Sequence, residues 1–557
     1  MTMETPDHTT LCDLPRALGP RAAVLFPHTG EQLTANGLDE ASARFAHRLL
    51  SAGVRPGEVV GLLTPTAPEV FVGLFGIVRA GAAVSMLPSS PGPPEHEAQR
   101  LAPTVDAARM RHLVVHTACA ETAHALRELR PNLRLVPADR TRTDDTGGPA
   151  GLAGPAPADR LPAVAPEDLA VVQFTSGSTS APKGVVLSHS TVLAGLRAIV
   201  ESAGMTSRDA LVSWVPHFHD MGLFGPLAVL LAGGPAHVVP PLEFLRRPAG
   251  VLRLLSETRA TLLTGPDFSY LRLAAVATEQ ALEGLDLSHM RLAFNGAEPV
   301  QAATMDALSA RLAPAGFSAT AAYPVYGMAE ATLAVAFPRP GSRPRVVHLD
   351  RGHLADHGLA VVVPPGHPQA KALVSVGRPV QGMRLRLVDT EGAECEPGRL
   401  GEIQIAGPAV TSGYYGAPAA TAEAFDGPWL RTGDLGLQLG GDLFVTGRHK
   451  EMIIVNGRNH FPEDAENIAR EQPGVHRRNC VAYADETHNR LTVAVEVTPG
   501  GDPEAVAARI HRVLTDRLGL AAVQVHPLPP GTLPRTTSGK WQRGLVRKLL
   551  AGQPAAR

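Results

Sequence analysis

The sequence predicts an α/β protein: a large N-terminal region of doubly wound mixed sheets with a small β-rich subdomain, then a small C-terminal α+β lid domain. Three observations predict it. Helical and strand-like patterns alternate through residues 21–115 and again through 169–338, short strands with turn signals follow residue 377, and from about residue 447 a separate strand and helix pattern begins. The length, 557 residues, is more than one ordinary core accommodates. We therefore expect an N-terminal domain over 1–446 and a mobile C-terminal domain over 447–557.

In chain order, LDEASARFAHRLLSAGV (38–54) has the apolar spacing of an amphipathic helix, and EVVGLLTP (58–65) reads as a buried strand ending in a turn. FVGLFGIVRAGAAVSMLP (71–88) supplies a second helix and strand, with Gly81 near the helix end. Residues 138–168 are rich in Pro, Gly and Ala and read as an exposed connector. The apolar stretch 221–239 is broken by Pro226, Gly233, Gly234 and Pro235, so a buried helix followed by a strand is expected there, not a membrane span. Residues 339–376, with PRPGSRP at one end and VVVPPGHPQ inside, look like an irregular insertion. MRLRLVDTEG (383–392) and GEIQIAG (401–407) read as strands of the β-rich unit. In the last segment, LTVAVEVTP (491–499) is strand-like and PEAVAARIHRVLTDRLG (503–519) helical.

A formal net charge of −2 and 44% hydrophobic content give no reason to expect nucleic acid or an acidic membrane as a partner. Cys12, Cys119, Cys395 and Cys480 lie far apart without a CxxC pair, which argues against a disulfide framework or zinc site. The first residues lack the basic start and apolar run of a signal peptide. A reducing cytoplasm is the expected location.

The strongest local chemical signal is VVQFTSGSTSAPKG (171–184). An apolar strand delivers the chain into short hydroxyl residues and glycine, where backbone N–H groups approach phosphate oxygens closely and Lys183 adds charge. A bare Ser/Thr/Gly stretch is by itself a polar turn, and this string is not a Walker A loop, because Pro182 precedes the lysine and Gly184 follows it. The full string TSGSTSAPKG resembles the phosphate loop of the adenylate-forming enzyme superfamily. Six further motifs follow in that family's order: WVPHFHDMG (214–222), FNGAEPV (294–300), YPVYGMAEAT (323–332), RTGDLG (431–436), TGRHKEMIIVNGRNHFPEDAE (446–466) and PRTTSGK (534–540).

The resemblance implies ATP and Mg²⁺ as cofactors and assigns roles by motif. Thr175, Ser176, Gly177, Ser178, Thr179 and Lys183 would cradle phosphates. Glu330 would hold Mg²⁺, a hard cation that takes oxygen ligands. Tyr326, with Gly327 and Met328, would lie against adenine, and Asn295, Gly296, Ala297 and Glu298 would pass close to the base. Asp434, in a turn where one carboxylate accepts from both ribose hydroxyls, and Arg448 would bind the sugar. Lys540 would bridge the acid oxygen and the α-phosphate as two anions are brought together. His219 takes the place of the family histidine between nucleotide and acid, and Lys450 falls at the hinge of the small domain. Each type also has a plain structural role: a core tyrosine or histidine, a helix-start carboxylate, a surface lysine. His217 and His219 do not read as zinc ligands, since no second cluster accompanies them.

PHFHDMGL, FNGAEPV, YGMAEAT and GRNHFPEDAE are most similar to the fatty acyl-AMP ligase versions, and residues 339–376 fall where that group carries an insertion. The resemblance implies adenylation of a fatty or related carboxylic acid, with transfer to an acyl carrier protein. Ala329 replaces a threonine that other branches of the family use, a change shared with the acyl-AMP ligases. Asp267 and LAVAFPRPG (333–341), by contrast, depart from the pattern expected, and a carboxylate at Asp267 would be unfavourable beside an alkyl tail unless paired or facing away. Three other readings stay open: a diazotase-like enzyme passing activated nitrite to a small amine acceptor, an acyl-CoA ligase, and a catalytically inert scaffold.

Overall fold

The computed structural model describes residues 9–139, 161–175, 182–535 and 541–551. Most of the connector at 138–168 therefore lies outside the described residues.

Two large sheets form the body. The first has six strands in the spatial order Arg134–Pro137, His112–Val115, Val59–Leu63, Ala83–Met86, Leu169–Thr175 and Lys183–Ser188, parallel except for the last. Val59–Leu63 is buried at every position, as a strand covered on both faces requires. The second runs Ala322–Pro324, Leu292–Asn295, Leu262–Gly265, Leu211–Ser213, Ala236–Val238, Ala23–Phe26 and Glu31–Thr34, parallel until its final antiparallel hairpin.

The alternating sequence blocks do not map one to one onto these sheets. The hairpin at 23–34 joins the second sheet, and strands 169–175 and 183–188 close the edge of the first. Helix Glu69–Arg79 is buried all round, and its Arg79 guanidinium is satisfied by the Cys12 carbonyl and Ser42 hydroxyl and by an ion pair with Asp39. The apolar stretch near 221–239 is the buried helix Asp220–Leu231 followed by strand Ala236–Val238.

Residues 339–376 are more ordered than their composition suggests. Val346–Asp350 pairs antiparallel with Ala370–Val374, and helix Arg351–His357 lies between them, capped by the Asp350 carboxylate and ended by Gly358 at φ +62°. The small β-rich unit comprises Arg384–Val388, Gly401–Ala406, Phe425–Asp426, Trp429–Leu439 and Asp442–Arg448. Leu349, Leu354 and Leu373 of the insertion share a core with Leu437 and Phe444 of this unit and with Phe461 beyond it.

Beyond residue 450, antiparallel strands Val475–Asp485 and Arg490–Val497 are joined by the parallel strand Val523–Leu528 and packed by Pro462–Arg470 and Pro503–Leu518. Their core, from Ile453 to Val523, contains no residue of the large sheets. The insertion reaches this lobe through Lys371 and Asp464, paired at 3.1 Å and both nearly buried, and through Asp356 and Arg458, paired at 2.8 Å. Among the described residues no helix is long and apolar enough to cross a membrane.

Candidate nucleotide and acid site

One cavity of about 1250 Å³ lies where the carboxyl ends of the sheets, the β-rich unit and the C-terminal lobe converge. Such clefts at strand ends are where open α/β folds bind ligands.

At its polar end Tyr326, Thr432 and Arg448 line the wall, and Asp434, not itself a lining residue, lies behind them, directly opposite Arg448 on the adjacent strand. Arg448 Nε donates to Asp434 Oδ1 at 2.8 Å, and the Tyr326 hydroxyl donates to Asp434 Oδ2 at 2.6 Å. The Asp434 backbone N–H donates to Thr432 Oγ1 at 3.0 Å, which fixes the turn. The Asp434 charge holds the Arg448 guanidinium firmly protonated, while burial pushes the Tyr326 phenol well above its usual range. Cation, carboxylate and phenol thus form a rigid set with the carboxylate at its centre.

Glu330 lies in the short helical turn Ala329–Ala331 and accepts from the Tyr414 hydroxyl at 3.0 Å. Burial raises its pKa, and the Asp220 charge pushes the same way. Two carboxylates lining one cavity, one of them disfavoured as an anion, form a donor set that a hard divalent cation would suit. Gly327 is glycine for a steric reason: a Cβ there would lie 2.0 Å from the Leu333 carbonyl oxygen.

Thr175 ends its strand in the cavity wall, and Lys183 opens the next strand directly opposite it. Lys183 Nζ lies 5.2 Å from the Tyr414 ring centroid, so Tyr414 touches both Lys183 and Glu330. Ser176, Gly177, Ser178 and Thr179 lie outside the described residues, as does Lys540.

His219 precedes helix Asp220–Leu231 and lines the cavity, its segment held by Gln173 Nε2 donating to the Phe218 carbonyl at 2.7 Å. His217 is buried away from the cavity, and its pKa falls to about 4, mainly by burial, so it is neutral.

Of residues 295–298, Ala297 alone lines the cavity, in a left-handed backbone at φ +66°. The Asn295 side chain points inward and donates to Asp267 Oδ1 at 2.9 Å, while its carbonyl receives the Val325 N–H. Gly296 has Val325 too close for a Cβ, 2.8 Å from Cγ2. Glu298 accepts from the Phe268 N–H at 2.6 Å, and burial with the nearby Asp267 charge lifts its pKa to about 7. Asp267 itself faces away from the cavity and also accepts from the Gln301 N–H and Thr304 hydroxyl. It therefore anchors the loop and does not confront an acyl tail. Met328 lines the cavity, and Lys450 lies exposed in the turn His449–Glu451 between the β-rich unit and the C-terminal lobe.

Sequence reasoning did not single out Tyr414, Asp220, Thr432, or the Arg477, Arg478 and Arg535 that the C-terminal lobe places in the cavity wall. Arg477 and Arg478 are consecutive residues with positive φ, +49° and +61°, a bulge that side-chain patterning does not reveal. From the polar end the cavity continues into an apolar branch bordered by Trp214, Met221, Leu245, Phe268 and Leu271, with Trp214 stacked on Phe244 at 4.0 Å.

The sequence profile for AMP-binding enzymes matches residues 5–415. The chain belongs to the AMP-binding enzyme family. This AMP-binding enzyme is 33% identical to the medium-chain-fatty-acid–[acyl-carrier-protein] ligase JamA of Moorena producens, over 99% of this chain and 96% of that one. It is 32% identical to the long-chain-fatty-acid–AMP ligase FadD26 of Mycobacterium marinum, over 89% of this chain and 88% of the other. Among solved structures, one from work on fatty acyl-adenylate ligases of E. coli and L. pneumophila superposes with a TM-score of 0.88 at 29% identity, covering 98% of each chain. The L. pneumophila fatty acyl-adenylate ligase in complex with acyl adenylate and pyrophosphate gives 0.75 at 28% identity, over 100% of this chain and 98% of that one. The fold is that of adenylate-forming enzymes.

Proposed function

We propose that this enzyme uses ATP to adenylate a fatty or related carboxylic acid, releasing pyrophosphate, and then passes the acyl group to the thiol of an acyl carrier protein. The observation that carries the proposal is the continuity of the cavity: a polar end built on Asp434, Arg448, Tyr326 and Glu330 opens into an apolar branch suited to an alkyl chain. The names of the relatives, fatty-acid ligases toward AMP and toward carrier protein, point the same way.

In this reading Asp434 accepts from the ribose hydroxyls, with Arg448 and Tyr326 fixing its orientation, and Tyr326 and Ala297 border the adenine. Glu330 would hold Mg²⁺, which would supply charge neutralisation at the phosphates when bound. An oxygen of the acid attacks the α-phosphorus, the bond to pyrophosphate breaks, and pyrophosphate leaves. Lys540, carried on the lid, bridges both anions as this happens, a preorganised charge worth roughly 3–4 kcal/mol. His219 positions the acid between nucleotide and apolar branch. In the second half-reaction a thiol attacks the acyl carbonyl, AMP departs, and the thiol proton is lost. Lys450, between two separately packed lobes, is the hinge about which residues 447–557 turn. The contacts of the insertion with the lid favour a carrier-bound thiol over free coenzyme A as acceptor. Four free cysteines suit the cytoplasm.

The test is acid-dependent pyrophosphate release across fatty acids, aryl acids, amino acids and nitrite. Release with saturated medium- or long-chain acids is expected. Release with nitrite alone would replace this reading with a diazotase-like one.

A further inference from the structure

The wall of the apolar branch is not wholly apolar: Arg246 and Arg272 line it among apolar side chains. Helix Asp267–Val276 borders it with Phe268, Leu271, Arg272, Ala275 and Val276, a set at helical spacing on one face. Phe268 is beside the Glu298 loop at the nucleotide end, so at 1.5 Å per residue Arg272 lies about 6 Å further along the branch. An Arg272 guanidinium N–H donates to the Leu245 carbonyl, and Arg246, the next residue, lines the same stretch. That bond uses one of the five N–H donors of Arg272. Neither Arg246 nor Arg272 forms an ion pair with a carboxylate among the described residues. The carboxylates in the cavity wall, Asp220 and Glu330, stand at the nucleotide end. Trp214, 4% exposed and bordering the branch, has an indole N–H without an acceptor among the described residues.

An alkyl tail running past this helix would lie against the half-buried Arg272 guanidinium and displace water that solvates it, at a cost no methyl group offsets. A carboxylate at the tail end would instead replace that water with charge-assisted hydrogen bonds, for which the planar guanidinium fork is suited. From this geometry we infer that the preferred acid carries a second carboxylate at its far end, an α,ω-dicarboxylic acid whose second carboxylate is held by Arg272 and Arg246. This rests on the adenylation reading above and specifies its substrate class. One carboxylate attacks the α-phosphorus and displaces pyrophosphate, and the other stays ionised between the two arginines, so the product is an ω-carboxyacyl adenylate.

The experiment is ATP–pyrophosphate exchange by the full-length enzyme with acids matched in carbon number: octanoate against octanedioate, decanoate against decanedioate, dodecanoate against dodecanedioate. At the best-fitting length the diacid is expected to exceed the monoacid in kcat/KM by about tenfold or more, chiefly through KM. Arg272→Leu and, separately, Arg272→Gln and Arg246→Ala should collapse that ratio. The exposed Arg246 provides a variant whose folding does not depend on the Arg272 bond. Equal or better use of the monoacid at every length, or a preference that survives in all the variants, would overturn this inference while leaving adenylation intact. Exchange with no carboxylic acid at all would overturn the adenylation reading itself, and this inference with it.

Discussion

Asp434 is held by two partners and is 5% exposed, so its substitution tests the proposed ribose role directly. Asp434→Asn keeps the shape but removes the charge that orients Arg448, and we expect KM for ATP to rise by about 10- to 100-fold, measured by pyrophosphate release at saturating acid. An unchanged KM would remove Asp434 from the site. Gly327→Ala places a methyl group 2.0 Å from the Leu333 carbonyl oxygen, and the obstructing atoms are backbone of Leu333 and Ala334, which leaves little room to yield. It should lower stability by about 1–3 kcal/mol or more in urea denaturation and depress activity with it. Asp434, Arg448, Tyr326 and Glu330 were legible in the sequence because each sits in a short motif. Tyr414 was not: it reaches Glu330 from 84 residues away, and only the fold supplies that contact.

Buried histidines make the acid limb of stability predictable. His189 accepts the Leu11 N–H at Nδ1, at 3.1 Å, and so must be unprotonated there, and burial lowers its pKa to about 4. His217 behaves alike, also at about 4. With the unfolded value near 6.5, the unfolded chain binds more protons between these limits, so stability is present above pH 6.5 and is lost as pH falls toward 4. Roughly 2 kcal/mol per histidine should be lost by pH 5 relative to pH 7. Denaturation at the two pH values, with His189→Gln flattening the slope, checks it; equal stability at both would contradict it.

At the scale of elements, the insertion shows both the reach and the limit of sequence reading. Its position was legible from a break in the alternating pattern. Its two-stranded ladder was not, because the strands are five residues each and lie on either side of a Pro- and Gly-rich loop. The charges it sends to the C-terminal lobe were invisible for the same reason: Lys371 and Asp464 are 7% and 5% exposed only because two distant segments meet. Asp464 is also paired with Arg351 of the insertion at 3.6 Å, so removing Lys371 leaves it partly compensated and costs less than the roughly 3–5 kcal/mol of a fully broken buried pair. Lys371→Met should therefore raise hydrogen exchange in residues 458–470 well above that in the large sheets. Uniform protection would show that the insertion does not hold the lobe.

Across the whole molecule, alternation in the sequence predicted doubly wound sheets but not how strands are shared between them. The hairpin at 23–34 crosses to the second sheet, and strands 169–175 and 183–188 close the first, so that Thr175, where the former ends, lines the cavity together with Tyr326 and Glu330. That partition depends on which buried faces meet, a property of packing and not of period. The large and small lobes have separate cores, and the cavity lies between them, with Arg448 on one side and Arg535 on the other. The most direct measurement of the central claim is a single-turnover assay of acyl-AMP formation by mass spectrometry, with ATP binding measured in parallel, for the native enzyme and Lys540→Ala. The account predicts acyl-AMP from the native enzyme, none from the variant, and ATP affinity that differs little between them. Normal acyl-AMP formation by Lys540→Ala would contradict it.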